Sequence, residues 1–166
     1  NRANLIQAGP SRSMADGWET RRRRGPGHDW AIIRLATAGT IERPELDTSH
    51  FKGNAPARAT VEGGDGQAWR MLLASPLQPH TRHVFDDALR RIGDVTHLRL
   101  SVFPDGGIAR LRAWGRLAPE ARPGLDKLHA MRPLEATDAL LRCCGSAAWV
   151  AAMVAARPFE DAAALL

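Results

Sequence analysis

Residues 96–117 constrain the fold more than any other stretch of this chain. In Thr96-His97-Leu98-Arg99-Leu100-Ser101-Val102 the apolar side chains Leu98, Leu100 and Val102 alternate with polar ones. A side-chain period of two puts them on one face of a half-buried strand. Pro104-Asp105-Gly106-Gly107 then supplies residues that tolerate a tight turn. Residues 108–117 alternate again, with Arg110, Arg112 and Arg116 on one face, so the two runs are expected to pair as a hairpin. Upstream, residues 31–36, 41–47, 59–62 and 69–73 are further strand-length runs separated by Gly, Asp and Pro. Short strands at such intervals predict an antiparallel sandwich or jelly roll rather than a parallel sheet.

The period changes after Pro119. Pro119, Pro123 and Gly124 suggest a linker over residues 120–132, and from Pro133 the pattern is helical. Leu134, Thr137, Leu140 and Leu141 share a face, Gly145 is a helix stop and Ser146 a cap for the next helix. Trp149, Val150, Met153 and Val154 form the apolar stripe of that helix, Pro158 ends it, and Glu160-Asp161 open a third. So short a helical run buries too little surface to stand alone. The expected organisation is therefore a β domain over residues 1–119, a linker over 120–132, and the start of a larger helical domain over 133–166. A chain that begins Asn1-Arg2-Ala3 and stops inside an Ala/Leu-rich pattern is expected to be a window cut from a longer protein.

Composition narrows the function classes. At 44% hydrophobic and 25% charged residues the chain is globular rather than disordered. Its longest uncharged apolar run, residues 147–156, is too short to span a membrane. The net charge of +5 is unevenly spread: residues 1–119 hold 18 basic and 12 acidic side chains, whereas residues 120–166 hold 5 and 6. All the basic residues except Lys52 and Lys127 are Arg, a planar fork suited to carboxylate, phosphate or ureido oxygens. Adjacent Cys143 and Cys144 lack zinc-knuckle spacing and meet disulfide geometry only with strain. They read as reduced packing residues, which favours a reducing, cytoplasmic setting.

Polar residues of the first segment cluster in three places. Residues 16–30 hold Asp16, then Glu19, Arg21 to Arg24, His28 and Asp29 between Trp18 and Trp30, in a Gly/Pro-bounded loop. This is either a solvated basic loop, a nucleic-acid patch, or a binding or catalytic loop, and a bare basic patch has no need of the acids and the His. Residues 47–54, Asp-Thr-Ser-His-Phe-Lys-Gly-Asn, follow a strand directly, where sites often sit. Gln78-Pro79-His80-Thr81-Arg82-His83 carries two His three apart. That spacing is a weak metal signal, although His28 and His50 would complete a ligand set if all converged.

These residues carry a resemblance. Asp16-Gly17-Trp18-Glu19-Thr20-Arg21-Arg22, His28-Asp29-Trp30, Asp47-Thr48 with His50-Phe51-Lys52-Gly53-Asn54, Leu77-Gln78-Pro79-His80, and Thr96-His97-Leu98-Arg99 with Pro104-Asp105-Gly106-Gly107 resemble the successive motifs of the allantoicase family, in family order. The resemblance implies a jelly-roll β-sandwich of the galactose-binding-like type, one repeat of a tandem of two, with a companion repeat upstream. It also implies hydrolysis of allantoate to ureidoglycolate and urea. Leu140-Leu141-Arg142-Cys143-Cys144-Gly145-Ser146, with Trp149, Met153 and Ala156-Arg157-Pro158-Phe159, resembles the N-terminal start of the helical decarboxylase of 2-oxo-4-hydroxy-4-carboxy-5-ureidoimidazoline (OHCU decarboxylase). The catalytic His-Pro element of that family would lie beyond Leu166. The two resemblances together imply a fusion of two steps of purine catabolism.

Allantoate is a small anion with two ureido arms on one carbon. Its pocket needs a cation for the carboxylate, polar groups for the ureido arms, and an acid/base pair to activate water and protonate departing urea. The catalytic candidates are Glu19, His28, Asp29, His50 and His80. The substrate-binding candidates are Asp16, Arg22, Arg23, Lys52, Asn54 and His83. A divalent metal that generates hydroxide is a possible cofactor, with no ligands assigned. Partners are expected to be the substrate, the upstream repeat and further copies in a homo-oligomer, without nucleic acid or membrane. The alternative is a non-catalytic jelly-roll repeat that binds a small ligand.

Overall fold

The computed structural model describes residues 1–118, 122–143 and 147–158. Among them are β1 (Trp18–Glu19), β2 (Asp29–Asp47), β3 (Arg58–Gly64), β4 (Trp69–Pro76), β5 (Arg82–Val84), β6 (Val95–Phe103), β7 (Gly107–Ile108), β8 (Arg110–Leu117), α1 (Arg122–Ala130), α2 (Pro133–Cys143) and α3 (Ala147–Ala155). Two 3₁₀ turns, Arg2–Ile6 and Met14–Asp16, precede the strands. This is the expected antiparallel β-sandwich followed by helices.

The long strand β2 organises the sandwich. Residues 31–36 and 41–47, read as two strands, are one 19-residue strand whose register shifts between Arg34 and Gly39 and again between Ile41 and Arg43. Its first part pairs with β6, β6 pairs with β3, and β3 pairs with β4. Its last part pairs with β8 on one edge and β5 on the other. The irregularities bend β2 so that it serves both layers. Between the layers lie Ala31, Leu46, Val61, Leu73, Leu98, Leu100, Val102, Ile108 and Leu111, all buried. Each large aliphatic side chain buried there contributes roughly 1.5–3 kcal/mol.

The hairpin expected from residues 96–117 does not form. Both edges of β6 are taken, by β2 and β3, and β8 takes the free edge of β2 instead. The intervening turn thus crosses from one layer to the other, and on the way β7 pairs with β1. The alternation fixed which face of each strand is apolar, but not which strand lies beside it. Arg110, Arg112 and Arg116, expected on one face, differ in burial, and Arg116 is exposed. Arg110 is buried and Arg112 half-buried, because the Arg2–Ile6 turn packs against β8 and inserts Leu5 into the core.

The 120–132 stretch expected as a linker contains α1. Pro123 lies in its first turn, where a missing N–H breaks no helical bond. Leu128 of α1 packs with Leu140, Val150, Met153 and Val154. Among the described side chains of α2, Ala136 and Leu140 are buried while Leu134 and Leu141 are exposed, so the inward stripe is offset from the expected one. On α3, Val150 and Met153 face inward and Trp149 is about one-third exposed, at 37%. The packing expected of the Cys143 and Cys144 side chains, the linker residue Pro119, the Gly145 stop, the Ser146 cap and the third helix from Glu160-Asp161 fall outside the described residues.

Candidate active site

Four connections meet at β1 and β7. The Thr20 amide donates to the Gly106 carbonyl at 3.1 Å, and the Gly106 amide donates to Thr20 Oγ1 at 3.0 Å. The Gly107 amide donates to the Asn54 carbonyl at 2.9 Å, and Asn54 Nδ2 donates to Glu19 Oε1. Gly106 has φ of 136°, and a Cβ there would lie 2.6 Å from Pro56 N and 2.7 Å from the Asn54 carbonyl. Only glycine allows this approach. Phe51, fully buried, wedges its ring under the two paired strands against Gly17 and Gly107. Glu19 is exposed, which leaves its second carboxylate oxygen facing solvent beside Asn54.

The His50 and His80 backbones sit side by side in the left-handed region, with φ of 71° and 51°. Residues other than glycine seldom adopt it, and it recurs at functional sites. The His50 amide donates to His80 Nδ1 at 2.8 Å, so that nitrogen carries no proton and the neutral ring holds it on Nε2. His50 Nε2 lies 2.9 Å from the Ser11 carbonyl, which can only accept. The His50 proton is therefore on Nε2, and its Nδ1 has a free lone pair in the neutral ring. The ring centroids are 5.9 Å apart. The two loops are held together from below by Thr48, fully buried, whose hydroxyl bonds the Gln78 and Thr81 carbonyls at 2.7 and 3.0 Å and accepts the Thr81 amide at 2.9 Å.

The remaining candidates are spread around this centre. His83 Nε2 accepts the Gln78 amide at 2.9 Å and its Nδ1 faces the Leu46 carbonyl at 3.1 Å, so both ring nitrogens are spent on backbone. His28 stacks on Phe103 with centroids 4.5 Å apart. Asp29 pairs with Arg23 at 3.0 Å, and the Arg23 amide donates to Asp105 Oδ2 at 2.5 Å. Lys52 is exposed two residues beyond His50. Asp16 accepts the Arg12 amide at 3.1 Å and Arg110 Nη2 at 2.9 Å. Those two bonds, the Arg12 amide first, hold its carboxyl below the usual carboxylate value.

Arg22 and Arg23 line a separate cleft of about 520 Å³ with Arg2, Arg21, Arg24, Trp18, Thr20 and Asp29. Trp18 and Thr20 point to one side of β1 and its extension, and Glu19 between them points to the other. Among the described residues no three His, Cys, Asp or Glu side chains gather as ligands for a metal ion.

Sequence reasoning missed four supports of this region. Arg110 donates to the carbonyls of Asn4, Gly9, Asp16 and Ala109 as well as to the Asp16 carboxylate, and so ties the N-terminal turns to β8. Burial, and next the charge of Arg110, lower the pKa of neighbouring Arg112, which donates to the Gln7 and Gly9 carbonyls at 2.6 and 2.7 Å. Thr48 and the Ser11 carbonyl complete the set. Of these only Thr48 had a signal, an Asp-Thr-Ser run at a strand exit where side chains commonly bond local backbone.

Residues 1–118 match the family model described as the allantoicase repeat. The chain is 48% identical over 129 residues to probable allantoicase 2 of Burkholderia pseudomallei, covering 70% of this chain and 38% of that relative. It is likewise 48% identical over 126 residues to a probable allantoicase of Pseudomonas aeruginosa, covering 68% and 38%. The crystal structure of allantoicase from Saccharomyces cerevisiae superposes with a TM-score of 0.64 at 41% identity, over 69% of this chain and 36% of that one. The C-terminal domain of a chitobiase from Bacteroides fragilis superposes with a TM-score of 0.58 at 15% identity, over 71% and 82%, a likeness of fold alone. The chain thus spans under two-fifths of the length of the allantoicases it matches. No helix among the described residues is long and apolar enough to cross a membrane.

Proposed function

Because the chain belongs to the allantoicase family, we propose that it forms part of an enzyme that hydrolyses allantoate to ureidoglycolate and urea, with Glu19, Asn54, His50 and His80 at the reacting centre. Two observations carry this reading: the pair of left-handed histidines, each with a defined tautomer, and a carboxylate held by the amide of Asn54, four residues after His50 on the same connection. In the reaction the bond from the central carbon to one ureido nitrogen breaks and a bond to water oxygen forms. One water proton goes to a base and the departing nitrogen takes a proton from an acid. His50 Nδ1, with its lone pair free, suits the base, and His80 Nε2, which carries a proton, suits the acid. Glu19 accepts a ureido N–H on the oxygen that Asn54 leaves open, and Lys52 supplies the cation for the carboxylate. His28 and Asp29 stand at the periphery of this arrangement, and Asp16 and His83 fix its loops.

The test is urea release from allantoate by the full-length protein carrying Glu19→Gln or His50→Asn. Asn tolerates the left-handed backbone, so His50→Asn removes the imidazole with little change of loop. Either substitution should lower kcat/KM by about 10²–10⁴-fold. Wild-type rates in both would overturn the site. A second reading follows from the length of the relatives: chemistry could reside in the part of the protein that this chain does not span, leaving this repeat as a ligand-binding partner. Urea release that survives unfolding mutations confined to this repeat would favour it. The proposal extends to an upstream companion repeat, assembly as a homo-oligomer and a cytoplasmic setting. It also extends to a fusion in which residues 133–166 begin an OHCU decarboxylase, supported by the Cys-Cys-Gly-Ser and Arg-Pro-Phe elements alone. A His-Pro-bearing helical domain in the downstream sequence is the observation that would test that last part.

A further inference from the structure

The arginine cleft beside β1 is unused by the reaction just described. Five guanidinium groups, of Arg2, Arg21, Arg22, Arg23 and Arg24, line it against the single carboxylate of Asp29. Asp29 is already spent on Arg23 at 3.0 Å, and Asp105 takes only the Arg23 amide. Among the described residues Arg2, Arg21, Arg22 and Arg24 form no ion pair. Arg2 lies 5.9 Å over the exposed ring of Trp30, a contact that leaves its positive charge uncompensated. Arg23 Nε is buried without a hydrogen-bond partner, and such a donor calls for a missing water or anion. A cluster of like charges around a cleft of about 520 Å³ repels itself, and a bound anion relieves that repulsion.

The strand geometry separates this cleft from the reacting centre. Trp18 and Thr20 line it, while Glu19 points to the opposite side toward Asn54, and none of Glu19, Lys52, Asn54, His50 or His80 borders it. We propose that the cleft is a second site, which binds a compact multivalent anion, with Arg22 and Arg24 as its principal ligands and Arg23 locked by Asp29 as its floor. A monovalent ureido acid does not match so many guanidiniums. Phosphate and multi-carboxylate groups do, because planar forks grip two oxygens at once. The inference rests on the cleft and not on the reaction, so it stands or falls separately.

The experiment is calorimetric titration of the protein with pyrophosphate, citrate and allantoate in low-salt buffer. Saturable binding of pyrophosphate or citrate is expected, weakened at least tenfold by Arg22→Ser with Arg24→Ser and unchanged by Glu19→Gln. The stronger of the two arms identifies the phosphate or the carboxylate source. Allantoate should not compete. No saturable binding up to about 10 mM, undiminished affinity in the double variant, or competition by allantoate would each refute a separate anion site. So would a short oligonucleotide that binds far more tightly than pyrophosphate with a steep salt dependence, since the cleft would then be a nucleic-acid surface. Loss of urea release in Glu19→Gln with anion binding intact tells the two proposals apart.

Discussion

Gly107→Ala tests whether the site is built on the packing of Phe51. A Cβ at position 107 would lie 1.9, 2.0 and 2.6 Å from Phe51 Cε1, Cδ1 and Cγ. Ordinary carbon contacts are about 3.5–4.0 Å, so the ring would have to retreat by roughly 1.5–2 Å. Retreat is closed on the other side, where a Cβ at Gly17 would meet Cε2 and Cζ of the same ring at 2.8 Å. Gly107 does not have a positive φ, so the cost is steric and not conformational. Shifting a packed neighbour costs typically 1–3 kcal/mol and expelling a buried Phe about 3–5, which brackets the expected loss at about 2–4 kcal/mol. Denaturant unfolding followed by Trp fluorescence would measure it as a fall in midpoint at constant slope. The mechanism is isolated by a double-mutant cycle. In a Phe51→Ala background the new methyl enters empty space, and Gly107→Ala should cost close to nothing, a coupling of about 2–4 kcal/mol. A Gly107→Ala protein as stable as the wild type, or one equally destabilised with and without Phe51, would refute the clamp.

Other perturbations read other parts of the molecule. The Asp16 carboxyl is held below its usual value of 3.8 by the Arg12 amide and then by Arg110. Its contribution is therefore present above that value and lost as the pH falls through the lower folded one. Asp16→Asn should be less stable at pH 7 and flatten the acid limb of the thermal midpoint against pH. Asp87 behaves with the opposite sign. A hydrogen bond with Asp86, and then its charge, raise the Asp87 pKa, so stability present below the usual value is lost as the pH rises. Asp87→Asn should raise the midpoint at pH 7 relative to wild type and give no advantage near pH 3. Arg110→Lys would lose the fork that bonds four carbonyls and Asp16. Amide exchange should accelerate in residues 2–6 and 14–16 while β3 and β6 stay protected, and equal protection throughout would contradict the tether.

The fold was legible where periodicity alone decides it. Leu98, Leu100 and Val102 are buried as their spacing requires, and residues 59–62 and 69–73 lie inside β3 and β4. Pairing was not legible, because a period of two names a face and not a neighbour. Two strands joined by a Pro-Asp-Gly-Gly turn looked like a hairpin, yet β6 and β8 meet the same long strand at different places. The bend that permits this sits in residues 35–38, Leu-Ala-Thr-Ala, which carry no Gly or Pro to announce it. The burial of Arg110 was hidden for a related reason. Its cover comes from residues about a hundred positions away, and no local window contains both.

At the site, the sequence identified the residue types but grouped them by proximity along the chain. Glu19 and Arg22 are three positions apart, and that closeness suggested one pocket. The structure divides them: Glu19 is bound by Asn54, while the guanidiniums line their own cleft, which Glu19 does not border. Conversely, His50 and His80 are thirty positions apart and come together through the Thr48 hydroxyl and the His50 amide. The His80 to His83 spacing that hinted at a metal separates a ring in the site from a ring bound on both nitrogens to backbone. What decides function here is which hydrogen-bond partners each ring and carboxylate has already taken. Thr48→Val is therefore a sharper probe of the histidine pair than changing either ring. It keeps the shape but leaves the Thr81 amide without its acceptor, and should cost about 1–3 kcal/mol. It should also lower urea release through misplacement of His80, with a changed pH profile. An unchanged profile at full activity would show that the pairing of the two loops is not what positions the rings.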